Sequence, residues 1–199
     1  NQDSGAAGTL TIGNASDLIG SGNGAGVSIG AGSTNGDVIL TTEAHSLSIA
    51  ASVSGDDSAN SNVILQSNGA TSDIAIGANV TATTDMHLDA GQNITRSAGT
   101  LSAGDDLLLE AVGSIGDGAA VLTSTVGLGV SAGGAVEITE ADDVTIRTAV
   151  TDLVNASTFE GISTSGTDVT LNLTADGATL TIENDASGTN TVRLGTGDF

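Results

Sequence analysis

The stretch DLLLEA, residues 106–111, decides the fold because the chain writes it several times. DVILTT begins at Asp37, NVILQS at Asn62 and DMHLDA at Asp85. The shared grammar is Asp or Asn, an apolar residue, any residue, Leu, a polar residue and a small one. The first apolar position of each copy falls at Val38, Val63, Met86 and Leu107, with Leu128 next, in steps of 25, 23, 21 and 21 residues. Two more tracks run in parallel: Leu47, Ile74, Ile94, Ile115 and Val136, and then Val53, Val80, Leu101, Val121 and Val144. Three short apolar segments therefore recur per period in fixed order. Gly, Ser, Asn and Asp sit between them, the residues that turns require.

Within the segments, apolar and small polar residues alternate, as in Leu47-Ser48-Ile49, Val144-Thr145-Ile146 and Leu180-Thr181-Ile182. Period-two alternation puts one set of side chains inward and the other outward on a strand. No window carries the i, i+3, i+4 apolar spacing of a helix. The economical solution is an all-β chain folded as a parallel β-helix, or β-solenoid, with three short strands per coil and about 21–25 residues per coil. Leu40, Leu65, Leu88, Leu109 and Val130 would then stack as one internal ladder. The alternative is a two-sheet sandwich with evenly spaced strands, which would normally show aromatic residues and more varied strand lengths.

Composition agrees. The chain has 199 residues, with 29 Gly and no Pro or Cys, and its only Phe, Tyr or Trp residues are Phe159 and Phe199. Such a core has to be closed by small aliphatics, which suits a narrow interior. Missing proline suits a continuous strand ladder, since proline cannot donate to one. Residues 1–199 are read as a single solenoid domain, with an irregular or decorated coil around 150–165 (VTDLVNASTFEGISTS) and a weak strand at Leu18-Ile19.

The net charge of −21 repels nucleic acid and anionic membrane, so neither is an expected partner. No apolar run is long enough for a transmembrane helix. Without a starting Met or signal peptide, the chain is read as a mature product or an excerpt of something longer.

The phrases SAGDDLLLEAVGSIGDG (102–118), SAGGAVEITEADDVTI (131–146) and TATTDMHLDAGQNI (81–94) resemble the repeats of filamentous-haemagglutinin-like bacterial surface proteins. The likeness covers most of the chain and is clearest over about 36–148; it is one of repeat grammar, with no unique signature. It implies a β-helical shaft, export to the cell surface, and a structural or adhesive role.

The expected function is thus that of a non-enzymatic extracellular fibre subunit, assembling head to tail with copies of itself. The alternative is a shaft fragment of a large bacterial adhesin. No capping segment is recognisable at either end of the repeat, and an open strand edge invites pairing. Alternation also puts Ile39, Ile64, His87 and Leu108 on the outside of the first strand face. Ile39, Ile64 and Leu108, with Phe199 at the terminus, are therefore candidate self-assembly contacts, lateral bundling included. The competing reading folds the 150–165 segment over that row.

The corner that opens each first strand carries Asp37, Asn62, Asp85 and Asp106. Asp37, Asp85 and Asp106 are weak calcium candidates, because stacked carboxylates repel unless bridged. The competing role is capping of a turn, and no calcium-solenoid signature is present. Asp89 and Glu110 face each other on neighbouring coils in the same way. His45 and His87 fall in different registers with no Cys/His metal pattern near them, so neither is expected to be a ligand. Asp56-Asp57, Asp105-Asp106 and Asp142-Asp143 are paired carboxylates, but neighbours on a strand point to opposite faces, so no catalytic pair is expected. No cofactor motif appears. Thr-x-Thr pairs do not recur on one face, which removes an ice-binding array. Asn14, Asn79, Asn93, Asn155 and Asn172 carry the N-glycosylation sequon.

Overall fold

The computed structural model describes residues 10–12, 27–28, 37–55, 60–165, 168–183 and 192–194. All regular structure in these residues is strand. With the exception of one antiparallel hairpin, every paired strand runs parallel to its neighbour one coil away. The chain is an all-β parallel β-solenoid.

The first face stacks Val38–Thr42, Val63–Ser67, Met86–Ala90, Asp106–Ala111 and Gly127–Ala132. Their register pairs Val38 with Val63, Met86, Leu107 and Leu128 in turn, and aligns Leu40, Leu65, Leu88, Leu109 and Val130. DLLLEA is thus one rung of that ladder. The second face stacks Leu10–Ile12, Leu47–Ile49, Ile74–Ile76 and Ile94–Arg96, and Ile115 bridges on to Val136. The third face carries Val27–Ser28, Val53–Gly55, Val80–Ala82 and Leu101–Ala103.

Like stacks on like inside. Leu65, Leu88, Leu109 and Val130 have no exposed surface, nor do Leu47, Ile74, Ile94 and Ile115. Strand spacing of about 4.8 Å leaves one branched aliphatic per rung, so the interior closes without rings. Each such side chain removed from water contributes roughly 1.5–3 kcal/mol.

Corners are held by a second set of ladders. Asn62 N donates to Asp37 Oδ1 (3.0 Å), Asp85 N to Asn62 Oδ1 (3.2 Å) and Asp106 N to Asp85 Oδ1 (3.2 Å). A parallel series joins Asn93 N to Asp73 Oδ1 (3.0 Å) and Ser114 N to Asn93 Oδ1 (2.9 Å). Each Asx side chain lends an oxygen to the peptide N–H one coil on, which is why Asp and Asn recur at the corners. The glycines answer a different need. A Cβ on Gly91 would lie 2.0 Å from the Gly69 carbonyl oxygen, so neighbouring corners approach too closely for any side chain.

The third track departs from the expected spacing. Leu101 aligns with Thr123 rather than Val121, and Val121 aligns with Ile138. Val144 leaves the third face altogether: Val144–Ile146 lies on the first face, where Thr145 and Ile146 pair with Gly127 and Leu128. The cause is Val136–Glu140, one continuous strand that starts on the second-face line through Ile115 and ends on the third-face line through Val121. A strand that spans two faces shortens its coil, so the following residues arrive early.

The segment around 150–165 has a specific construction. Val144–Ile146 pairs with the first half of Gly127–Ala132, and Ile162–Thr164 pairs with the second half. One first-face strand is therefore interrupted in the middle. The inserted residues form an antiparallel hairpin of Val150–Asp152 and Ser157–Phe159, closed at its base by Gly161 N donating to Arg147 O (2.8 Å).

Candidate functional site

The site grows from the outward row of the first face. Ile39 is 60% exposed and Ile64 is half-buried, but His87 and Leu108 are completely covered. The hairpin provides the cover. Outward position 108 is followed one coil on by Gly129, where a Cβ would lie 3.2 Å from Leu108 Cδ1, Phe159 Cδ1 and Val150 Cγ2. Two outward glycines, Gly127 and Gly129, thus give the insertion a floor. Leu108 is consequently unavailable as a lateral self-assembly contact; Ile39 and Ile64 keep that possibility, and Phe199 lies outside the described residues.

Two polar anchors hold the hairpin down. At its base, Arg147 Nη2 donates to Asp105 Oδ1 (2.8 Å), while Nε sits 2.9 Å from Asp106 Oδ1. The second contact is an ion pair without a hydrogen bond, since neither atom finds a geometrically good partner. Gly127 makes room for it: a Cβ there would lie 2.0 Å from Asp106 Oδ1 and 2.2 Å from Arg147 Nε. Burial pushes the Asp106 carboxyl up to about 6; Arg147 pulls it down, and Asp105, Asp85 and Glu183 push it further up. Burial likewise raises Asp85, against the hydrogen bond from Asp106 N, with Asp105 adding to the rise and Arg147 opposing it.

The Asp106 shift has a sign that experiment can check. Its folded value lies above the unfolded one, so the folded chain binds more protons between about pH 4 and pH 6, and ionisation of Asp106 costs stability as pH rises. Between pH 7.5 and pH 4.5 the wild type should gain about 1–2 kcal/mol relative to Asp106→Asn, allowing for solvent screening. Urea unfolding of both chains at the two pH values measures this, and parallel pH profiles would contradict it.

The second anchor is His87. Its Nε2 lies 3.0 Å from Glu110 Oε2 and its Nδ1 lies 3.5 Å from Asp152 Oδ1. His87 and Glu110 come from neighbouring first-face strands, and Asp152 comes from the hairpin. Asp152 also caps its own turn. Oδ1 accepts from Val154 N and Asn155 N, and Oδ2 accepts from Asn155 Nδ2 and Ser157 Oγ. Burial acts to raise this carboxyl, but those bonds and the nearby His87 outweigh it and hold Asp152 below the usual carboxylate range. Among the described residues, His87, Glu110 and Asp152 are a set of potential metal ligands whose ligand atoms all lie within 4.8 Å of one another.

The other sequence candidates are placed apart. Asp37 and Asp85 each accept a peptide N–H from the next coil, and Asp106 faces Arg147; the repulsion along that corner is answered by main-chain donors and a guanidinium. Asp89 accepts from Gln66 Nε2 (3.1 Å), while Glu110 turns to His87. Asp105-Asp106 shares Arg147, and Asp143 Oδ1 accepts from Thr179 N (2.7 Å). Asp56 and Asp57, like Leu18-Ile19, lie outside the described residues. His45 stands in a bend between the first and second faces. Of the sequons, Asn93 and Asn155 donate their amides to Asp73 and Asp152, Asn79 accepts from Thr100 N, Asn172 is exposed and Asn14 is not described.

One buried acid was missed. Glu140 occupies an inward position with no exposed surface, accepting from Thr123 Oγ1 (2.7 Å), Thr125 N (3.2 Å) and Ala141 N (3.0 Å). The signal was legible: in Val136-Glu137-Ile138-Thr139-Glu140 the last residue shares the phase of Val136 and Ile138. Its oxygens are occupied by Thr123 and Thr125 of the coil before and by Ala141 of the turn that follows, so it closes the end of a strand rather than facing a ligand.

Fold and site together define a parallel β-solenoid carrying a docked hairpin on one face. Comparison with family models, with curated proteins and with solved structures finds no match to this chain.

Proposed function

We propose that this domain is a non-enzymatic rod segment of an extracellular fibre at a bacterial surface, whose coils are continued end to end by further coils. The observation that carries the reading is the apolar end of the described stack. Leu180 and Ile182 pair with Val144 and Ile146, which are 2% and 1% exposed, yet they are themselves 42% and 52% exposed. Val169, Leu171 and Leu173 on the neighbouring face are also only partly buried against the core. These are core-ladder residues waiting for another rung. A further coil would cover them and pair with the strand edge at once. The net charge of −21 opposes lateral clumping of rods.

Electron microscopy of the purified chain, beside the Ile182→Asp variant, tests this. Filaments with an axial repeat on the order of 40 Å, about eight coils at the strand spacing, are expected for the parent and their loss for the variant. Short single rods in the parent would sink end-to-end assembly from this chain alone. They would favour the second reading, a shaft segment of a large adhesin whose next coil belongs to the same polypeptide. That reading is supported by the same exposed rung and by the resemblance of the repeats to such proteins.

A further inference from the structure

His87 holds an unusual position. It faces outward from Met86–Ala90 but has no exposed surface, because the 150–159 hairpin covers it. Nε2 lies within hydrogen-bond distance of Glu110, and in a neutral imidazole that donates this bond the lone pair falls on Nδ1. That Nδ1 is buried and has no hydrogen-bond partner. It faces Asp152 Oδ1 across 3.5 Å. A buried imidazole nitrogen without a hydrogen bond thus faces a carboxylate oxygen, an arrangement that a positive charge between the two would stabilise.

The separation suits a metal ion between them. For a direct N–H···O bond 3.5 Å is too long. Two ligands each about 2.0–2.2 Å from a tetrahedral ion lie roughly 3.4 Å apart. The rest of the arrangement is that of a supported metal ligand. A metal-bound imidazole commonly donates its other N–H to a carboxylate, as His87 does to Glu110. A ligating carboxylate is commonly held by further hydrogen bonds, as Asp152 is by Val154, Asn155 and Ser157. Glu110, whose side chain is 25% exposed, gives the site an edge open to solvent and a second carboxylate.

We propose that His87 Nδ1 and Asp152 Oδ1 bind a divalent cation of the zinc class, with Glu110 orienting the imidazole. The nitrogen ligand favours zinc over calcium, which takes oxygen ligands. The ion links the insertion to the shaft, since Asp152 belongs to the hairpin and His87 to the first face. This site is independent of whether the rod polymerises.

The test is zinc binding by the full chain, stripped with chelator and held in excess calcium to occupy surface carboxylates. One zinc per chain is expected, together with slower protease cleavage within residues 153–156. His87→Gln should abolish that stoichiometric uptake, and Glu110→Ala should weaken it about 10–100-fold. Equal uptake by His87→Gln and the parent would assign the zinc to surface acids and overturn the site, as would no uptake at all. Should His87→Gln fail to fold, nitrogen NMR of the parent decides: zinc must shift the Nδ1 resonance of His87, and an unmoved resonance overturns the proposal.

Discussion

Leu109→Ala should cost the solenoid about 3–4 kcal/mol, within the range for truncating a buried leucine. Leu109 has no exposed surface and sits in the ladder between Leu88 and Val130, which have none either. The size of the loss depends on how far the surroundings can collapse into the space left. Here they have little freedom. Asp106–Ala111 is paired along its length to a strand on each side, so the rungs above and below are fixed by main-chain hydrogen bonds. The vacated volume therefore persists as a cavity. Ile39→Ala, on the outward phase of the same face and 60% exposed, should cost under about 0.5 kcal/mol. Denaturant unfolding of both variants checks the contrast, with care that coil arrays need not unfold in one step. Equal losses at Leu109 and Ile39 would contradict the inward–outward assignment of the whole first face.

That assignment was legible because a ladder repeats its own evidence. Val38, Val63, Met86, Leu107 and Leu128 each announce the same phase, and parallel pairing at fixed spacing leaves no other register. The third track was less legible. Val144 carries the same alternating signature as a third-face strand, and only the length of Val136–Glu140 shows that its coil has already closed. Local periodicity gives the phase of a strand; it does not say which face the strand has reached. The polar site was illegible for a related reason. His87 and Glu110 lie on adjoining rungs, and the repeat alone brings them together. Asp152 reaches them only because an insertion folds back across two coils, a contact that no period encodes. What the sequence did carry was negative space. In GLGVSA, Gly127 and Gly129 replace the outward Asp and Leu of DLLLEA, which removes side chains where the hairpin later lies.

Gly129→Leu should therefore unseat the hairpin while leaving the ladder beneath it paired. Even the first carbon of a new side chain would stand 3.2 Å from Leu108, Phe159 and Val150, tight contact before any branch is added. The added leucine faces the covered side, so the inward residues Leu128 and Val130 are not displaced. Overpacking of this kind typically costs about 1–3 kcal/mol. Here the strain has another outlet, because the hairpin is a separate element seated on the face by the Val150 and Phe159 side chains, by Arg147 on Asp105 and Asp106, by Thr148 on Glu183 and by Asp152 on His87. Lifting it would expose Leu108 and Val150 and separate Asp152 from His87, so the loss spreads over both anchors. Limited proteolysis should show rapid cleavage between residues 153 and 156 with the strand signal in circular dichroism nearly unchanged. A variant as protease-resistant as the parent would mean that the hairpin is held by its own turn and its Gly161–Arg147 base rather than by its seat. Loss of the strand signal would mean that the insertion is part of the solenoid's cooperative core, in which case the interrupted coil stabilises the rod it decorates.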